Sequence, residues 1–151
     1  MPFLIAAFVV GIACGLRALV GLAAVSWAAS SGHLPLEGTW LSFLGNRITS
    51  YVATALAIGE IINDKMPKTP SRLVPPQFGA RVVMGALTGL AIGLSHGSLV
   101  LGAIAGIVGS VVGTLAGAKG RALLAKAFGR DLPAALLEDV IAIVLAFVAL
   151  R

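Results

Sequence analysis

Charge is what this chain has least of. Only 11% of its 151 residues are Asp, Glu, Lys or Arg, and only six of them are acidic. An ordinary soluble domain carries about 25% charged residues, so a water-facing surface is hard to build from this supply. Cysteine is nearly absent too. Cys14 is alone, which excludes an internal disulfide, and with two histidines there is no Cys/His cluster of zinc spacing. Cys14 lies inside an apolar run and reads as a small packing residue. No Lys or Arg precedes Arg17, so the N-terminal apolar stretch lacks the basic start of a cleaved signal peptide and is expected to be a retained span. The glycines do not have phosphate-loop spacing, and no nucleophilic constellation stands out.

What is present is oil. Hydrophobic residues make up 58% of the chain and mean hydropathy is +1.02. A membrane span needs roughly 20 apolar residues, and such stretches run over 3–29, 48–65, 80–95, 98–118 and 132–150. The expected fold is therefore all-α: a polytopic transmembrane helical bundle of about five spans in one membrane domain, 1–151. The second span is short and gains length if Arg47 and Lys65 snorkel to the two interfaces. The fourth is expected to continue as helix to Phe128, with Gly129 as its C-cap. Asp131 is the expected N-cap of the fifth, with Pro133 in its first turn. Between the first two spans, Trp27, Trp40 and Phe43 favour the headgroup zone, and Leu36 to Leu44 reads as a short interfacial helix or a re-entrant piece. Prolines 67, 70, 75 and 76 read as a stiff loop.

Basic residues sort by side. Lys65, Lys68, Arg72, Arg81, Lys119, Arg121, Lys126 and Arg130 fall at one end, Arg47 and Arg151 at the other. The positive-inside rule puts the richer end in the cytoplasm, and five spans then put the N-terminus inside and the C-terminus outside. The net charge of +5 is thus orientation chemistry rather than a nucleic-acid footprint. His33 and His96 fall in loops and read as ordinary polar residues.

Glycine supplies the packing pattern. Gly85, Gly89 and Gly93 repeat every four residues; so do Gly102 and Gly106, and then Gly109, Gly113 and Gly117. Such strips let helix backbones approach closely. A strip also runs through Ala13, Arg17, Gly21, Ala24 and Ala28, which puts Arg17 on a face that meets protein. A short internal repeat is legible: Gly15-Leu16-Arg17-Ala18-Leu19 against Gly120-Arg121-Ala122-Leu123, and Ala57-Ile58-Gly59-Glu60 against Leu136-Leu137-Glu138. In the five-span reading these pairs run in opposite directions, the pattern of an inverted repeat.

The candidate site is the set of ionisable residues inside or at the ends of the spans: Arg17, Glu60, Asp64, Lys65, Arg72, Arg81, Arg121, Glu138 and Asp139. Charge there is expensive and needs partners. Glu60 and Asp64 share a helix face. Glu138 and Asp139 point about 100° apart, so at most one of them is expected to continue that face. Arg17 sits near mid-span, where Glu60 or Glu138 would be marginal partners and the carbonyls of a broken helix or a wet pocket would also serve. Three readings follow. The charges pair and orient the bundle; they line a path for a small solute or ion; or two carboxylates hold a divalent cation beside a phosphate gripped by Arg and Lys, as an enzyme or binder of lipid headgroups would require. Only the last calls for a metal cofactor.

Three of these runs also occur together elsewhere. Gly15-Leu16-Arg17-Ala18-Leu19-Val20-Gly21, the segment Gly59-Glu60 with Asp64-Lys65-Met66-Pro67-Lys68-Thr69-Pro70-Ser71-Arg72, and Leu136-Leu137-Glu138-Asp139 resemble the bacterial membrane proteins grouped as domain of unknown function 4126. The likeness covers nearly the whole chain, with the proline-loop run its most specific part. It implies a small multi-span membrane protein whose charged runs are family features, and it supplies no substrate. The expected function is transport or channel conduction of a small solute or ion in the bacterial inner membrane, in a homo-oligomer.

Overall fold

A computed structural model describes residues 2–67 and 70–151; Lys68, counted above among the basic residues of the proline loop, lies outside the described residues. Among these residues the fold is all helical. The order is α1 (Phe3–Leu16), α2 (Ala18–Ser30), a 3-10 turn (Ser42–Gly45), α3 (Arg47–Asp64), α4 (Pro75–Ser95), α5 (Leu99–Phe128) and α6 (Asp131–Ala149). Three helices, α4, α5 and α6, are long and apolar enough to cross a membrane. Their outward faces carry large apolar side chains such as Val83, Val100, Leu123 and Val140, a surface suited to hydrocarbon rather than water.

The first apolar stretch is not the continuous span expected from composition. Arg17 is extended (φ −140°, ψ 106°) and separates α1 from α2. The chain folds back at this point. A Cβ on Gly21 would strike Cys14 Sγ and come within 3.4 Å of Val10; residues 10 and 21 would be about 16 Å apart in one straight helix. So α1 and α2 form a hairpin with Arg17 at its tip. Each arm is about 20 Å long at 1.5 Å per residue, short of a roughly 30 Å hydrocarbon core. Hydropathy could not report the reversal, because both arms are apolar.

This hairpin changes where the chain begins. Phe3 stacks on His96 at the far end of α4, with ring centroids 5.3 Å apart. At that same end Leu150 and Arg151 border a cavity with Trp27 and His33. Both termini therefore lie at the end opposite Arg17, whereas five alternating spans had put them on opposite sides.

Glycine strips hold the helices together at backbone distance. The strip of α4 (Gly85, Gly89, Gly93) meets Gly102 and Gly106 of α5, while Gly109 and Gly113 of α5 meet the backbone of Phe8 and Ile12 in α1. Between the hairpin, α3 and α6 the core is largely alanine: Ala13, Ala23, Ala24, Ala53, Ala57, Ala142 and Ala146. Cys14 is fully buried, with Sγ 3.5 Å from Thr88 Oγ1, the packing role expected of it. At the far end Ser26 donates to the Leu44 carbonyl (2.6 Å), and Trp27 Nε1 donates to Thr54 Oγ1 (2.8 Å). These bonds tie α2 to the 3-10 turn and to α3.

Local chemistry explains the boundaries. Asn46 caps α3 by accepting from the Ile48 N–H. Gly129 (φ 70°) ends α5 in the left-handed conformation, as expected. Pro75 and Pro76 do not belong to the loop; they open α4, where the missing N–H costs no helical bond. Residues 36–44 do not form the short α-helix that one of the two expectations called for. They are turns, with a single 3-10 turn over Ser42–Gly45; Leu36, Leu41 and Leu44 are buried, and Trp40 and Phe43 are exposed. His33 and His96 bond the neighbouring hydroxyls of Ser31 and Ser95.

Candidate functional site: an ionic cluster around the tip of a helical hairpin

The reversal at Arg17 creates a chemical problem before it creates a site. A helix end leaves backbone groups without intrahelical partners, and here two ends meet inside the protein. Charged side chains from other helices solve both. The N–H groups of Ala18 and Leu19, at the start of α2, donate to the two carboxylate oxygens of Glu60 from α3, each at 2.8 Å. The carbonyls of Gly15 and Leu16, at the end of α1, accept from Nη1 of Arg81 in α4 at 3.1 and 2.8 Å, and Thr114 Oγ1 of α5 adds a 3.3 Å bond to Gly15. Each charge suits its helix end: an anion at an N-terminus, a cation at a C-terminus. Irregular backbone among apolar helices is tolerated only where its polar groups find partners in this way.

Arg17 itself is fully buried. Its Nε donates to Asp139 Oδ1 at 2.6 Å, and its Nη2 lies 2.8 Å from Asp64 Oδ2 without hydrogen-bond alignment; Glu138 Oε2 is 3.9 Å away. Its Nη1 has no hydrogen-bond partner among the described residues. Glu60 and Glu138 were weighed only as marginal partners, and Glu138 does stand at the edge of ion-pair distance. Asp139 and Asp64 are nearer, because the fold-back carries the tip toward the cluster end of α3 and α6, while Glu60 is taken by the backbone.

The remaining charges extend this network. Glu138 takes both Nη atoms of Arg72, Nη2 at 2.8 Å, and Arg121 approaches it at 3.5 Å. Arg121 also bonds Asp64 and grips Asp131 through two nitrogens at 3.0 and 2.7 Å. Lys65 bonds Asp139 and the Ile61 carbonyl, so it turns inward rather than snorkelling outward. Its long stem reaches the carboxylate of Asp139 in α6. Glu138 and Asp139 both serve the cluster, as proposed, although they point in different directions, since cations approach α6 from two sides: Arg72 and Arg121 on one, Arg17 and Lys65 on the other.

Asp131 is the member that sequence reasoning misplaced. It is the first residue of α6, makes no cap bond and pairs with Arg121 ten residues earlier. The tight turn at Gly129 brings the two helix ends together, so a Gly-centred reversal flanked by opposite charges was the available signal. Its side chain is 63% exposed, and exposed pairs contribute about 0–1 kcal/mol. Asp131→Asn is accordingly expected to change stability by no more than about 1 kcal/mol in equilibrium unfolding, in contrast to the buried members.

Arg17, Lys65, Arg72, Arg81 and Arg121 face Glu60, Asp64, Asp131, Glu138 and Asp139, so the cluster is formally neutral. Every residue proposed from sequence belongs to it. Among the described residues no group of three or more His, Cys, Asp and Glu is arranged to hold a metal, and each carboxylate already meets a cation or backbone N–H. A divalent cation would have to displace those partners. On the cluster's outer side a cavity of about 450 Å³ is lined by Asp64, Lys65, Arg72, Arg121 and Asp131 among others.

No match was found among curated proteins or among solved structures. A family model does match, over residues 4–151, which takes in the hairpin, the proline loop and the whole of α6. The chain belongs to the family described as domain of unknown function (DUF4126).

Proposed function

We propose that this chain is an integral membrane protein that moves a small solute or ion past the hairpin tip. In this reading α3, α4, α5 and α6 cross the bilayer, and the α1–α2 hairpin enters from one side and stops at the cluster. The richer basic end faces the cytoplasm, both termini face outward, and the cavity beside Asp64 and Arg121 is the cytoplasmic mouth. Copies of the chain associate, since one bundle this small encloses little volume.

The observation that carries the reading is the pair of buried helix ends at the hairpin tip, each occupied by a charged side chain from another helix. Transporters commonly build their sites from discontinuous helices whose free N-terminus faces an anion and whose free carbonyls face a cation. Here Glu60 fills the anionic position and Arg81 the cationic one, with a 4.0 Å gap between them. A cation or proton arriving at Glu60 weakens its hold on α2, and an anion arriving at Arg81 weakens its hold on α1. Either event frees the tip to move. The strong pairing of the rest of the cluster would keep the surrounding helices in place.

The test is flux. Protein reconstituted in liposomes is screened with protons, alkali cations and small anions. Glu60→Gln is expected to reduce the flux at least tenfold while the melting temperature stays within a few degrees of the parent. An equally folded variant that retains full flux would overturn the role of Glu60. A parent protein with no flux for any of these solutes, and a Glu60→Gln change that lowers stability alone, would favour the purely structural reading.

A further inference from the structure

We infer that the cleft between α5 and α6 is a binding site for one acyl chain of an anionic phospholipid, whose headgroup lies over the basic end of α5. The cleft has a volume of about 300 Å³ and is lined by Ile12 of α1, by Val112, Gly117 and Gly120 of α5, and by Ile141 and Leu145 of α6. It exists because the glycine strip of α5 outruns its partner. Gly109 and Gly113 are filled by the backbone of α1, but α1 ends at the hairpin tip. Beyond it the tip of Leu16 and the paired ends of Arg72 and Glu138 cover Gly117, and at Gly120 a Cβ would have nothing within 4 Å. A flat apolar groove is left open on the outer surface of the bundle, where the neighbouring side chains suit hydrocarbon.

Charge decides the kind of lipid. The cleft ends at Arg121, which also borders the polar cavity. The last third of α5 carries Lys119, Arg121 and Lys126, Arg130 follows, and α5 contains no acidic residue at all. Asp131 balances only Arg121. Among the described residues Lys119, Lys126 and Arg130 are exposed and have no acidic partner within ion-pair distance, so an anionic headgroup at this end gains attraction that a zwitterion does not. The site does not depend on solute flux, and the two proposals can fail separately.

The experiment compares phosphatidylglycerol with phosphatidylcholine of identical tails, added to protein in neutral detergent. Thermal unfolding and lipid retention in native mass spectrometry are the readouts. At ten times the dissociation constant, phosphatidylglycerol is expected to raise the melting temperature by about 3–6 °C, and phosphatidylcholine by much less. Gly120→Leu adds a side chain where a Cβ meets nothing within 4 Å and is expected to lose at least half of that shift, while Lys119→Gln/Lys126→Gln is expected to erase the difference between the two lipids. Equal shifts from both lipids would overturn the proposal. So would a full phosphatidylglycerol shift in Gly120→Leu, which would mean surface attraction alone. A parent dimer that Gly120→Leu converts to monomer, with no lipid retained, would assign the cleft to a second copy instead.

Discussion

Arg17→Gln is expected to lower the stability of this protein by roughly 3–5 kcal/mol, the range for removing one partner from a buried ion pair. The side chain is fully buried and faces Asp139, Asp64 and Glu138. Its loss leaves three carboxylates, two of them at most 8% exposed at the side chain, sharing only Lys65, Arg72 and Arg121. At about 2–4 °C per kcal/mol for a chain of this length, the melting temperature in detergent should fall by roughly 6–20 °C. The penalty comes from the unpaired acids rather than from the missing guanidinium as such. Arg17→Gln/Asp139→Asn should therefore recover part of the loss, and the double-mutant cycle should report coupling between the two positions. Arg17→Lys should fall between, because one ammonium cannot serve Asp139 and Asp64 from two directions. An Arg17→Gln protein that melts within 1 °C of the parent would mean that the tip is held by Glu60 and Arg81 alone.

The same residue shows what the sequence could and could not disclose. Arg17 was recognisable as a site residue because charge in an apolar run needs a partner, and all nine proposed residues do lie in one cluster. Their pairing was not recognisable. It depends on the fold-back at Arg17, and a hairpin of two apolar arms has the same hydropathy as one long span. The glycine strips were readable because spacing of four has one packing consequence, and they do form the backbone contacts among α1, α4 and α5. Pro75 and Pro76 illustrate a different ambiguity: the same dipeptide ends one helix or opens the next, and only the neighbouring elements decide. Lys65 was misread because a long cationic stem reaches either water or a buried acid, and the position of Asp139 depends on how α6 is rotated. The repeat linking Gly15-Leu16-Arg17 with Gly120-Arg121 joins a hairpin tip to the last third of an unbroken helix, so similar residues serve different local structures.

Gly106→Leu is expected to yield little folded protein, and Gly106→Ala to cost about 1–3 kcal/mol as an overpacked core change. Gly106 is where three helices come closest. A Cβ there would run into the Gly85 carbonyl of α4, and Cβ atoms on Gly11 of α1 and Gly89 of α4 would in turn strike the backbone of Gly106. Every one of these obstacles is main chain, so no rotamer change relieves them; α1 or α4 must move away from α5. The displacement would not stay local. Gly15, one turn along α1 from Gly11, presents the carbonyl that Arg81 and Thr114 hold, and α4 carries Arg81. Separating these helices lengthens the bonds that close the end of α1, so a packing fault at Gly106 should propagate to the ionic cluster. Gly120→Ala is the matched control. It lies on the same helix with nothing within 4 Å of a new Cβ, and higher helix propensity should make it neutral or stabilising by about 0.5–1 kcal/mol. Thermal unfolding and gel filtration of the three variants decide the matter: equal melting temperatures for Gly106→Ala and Gly120→Ala would mean that the backbone contacts among α1, α4 and α5 do not hold the bundle together.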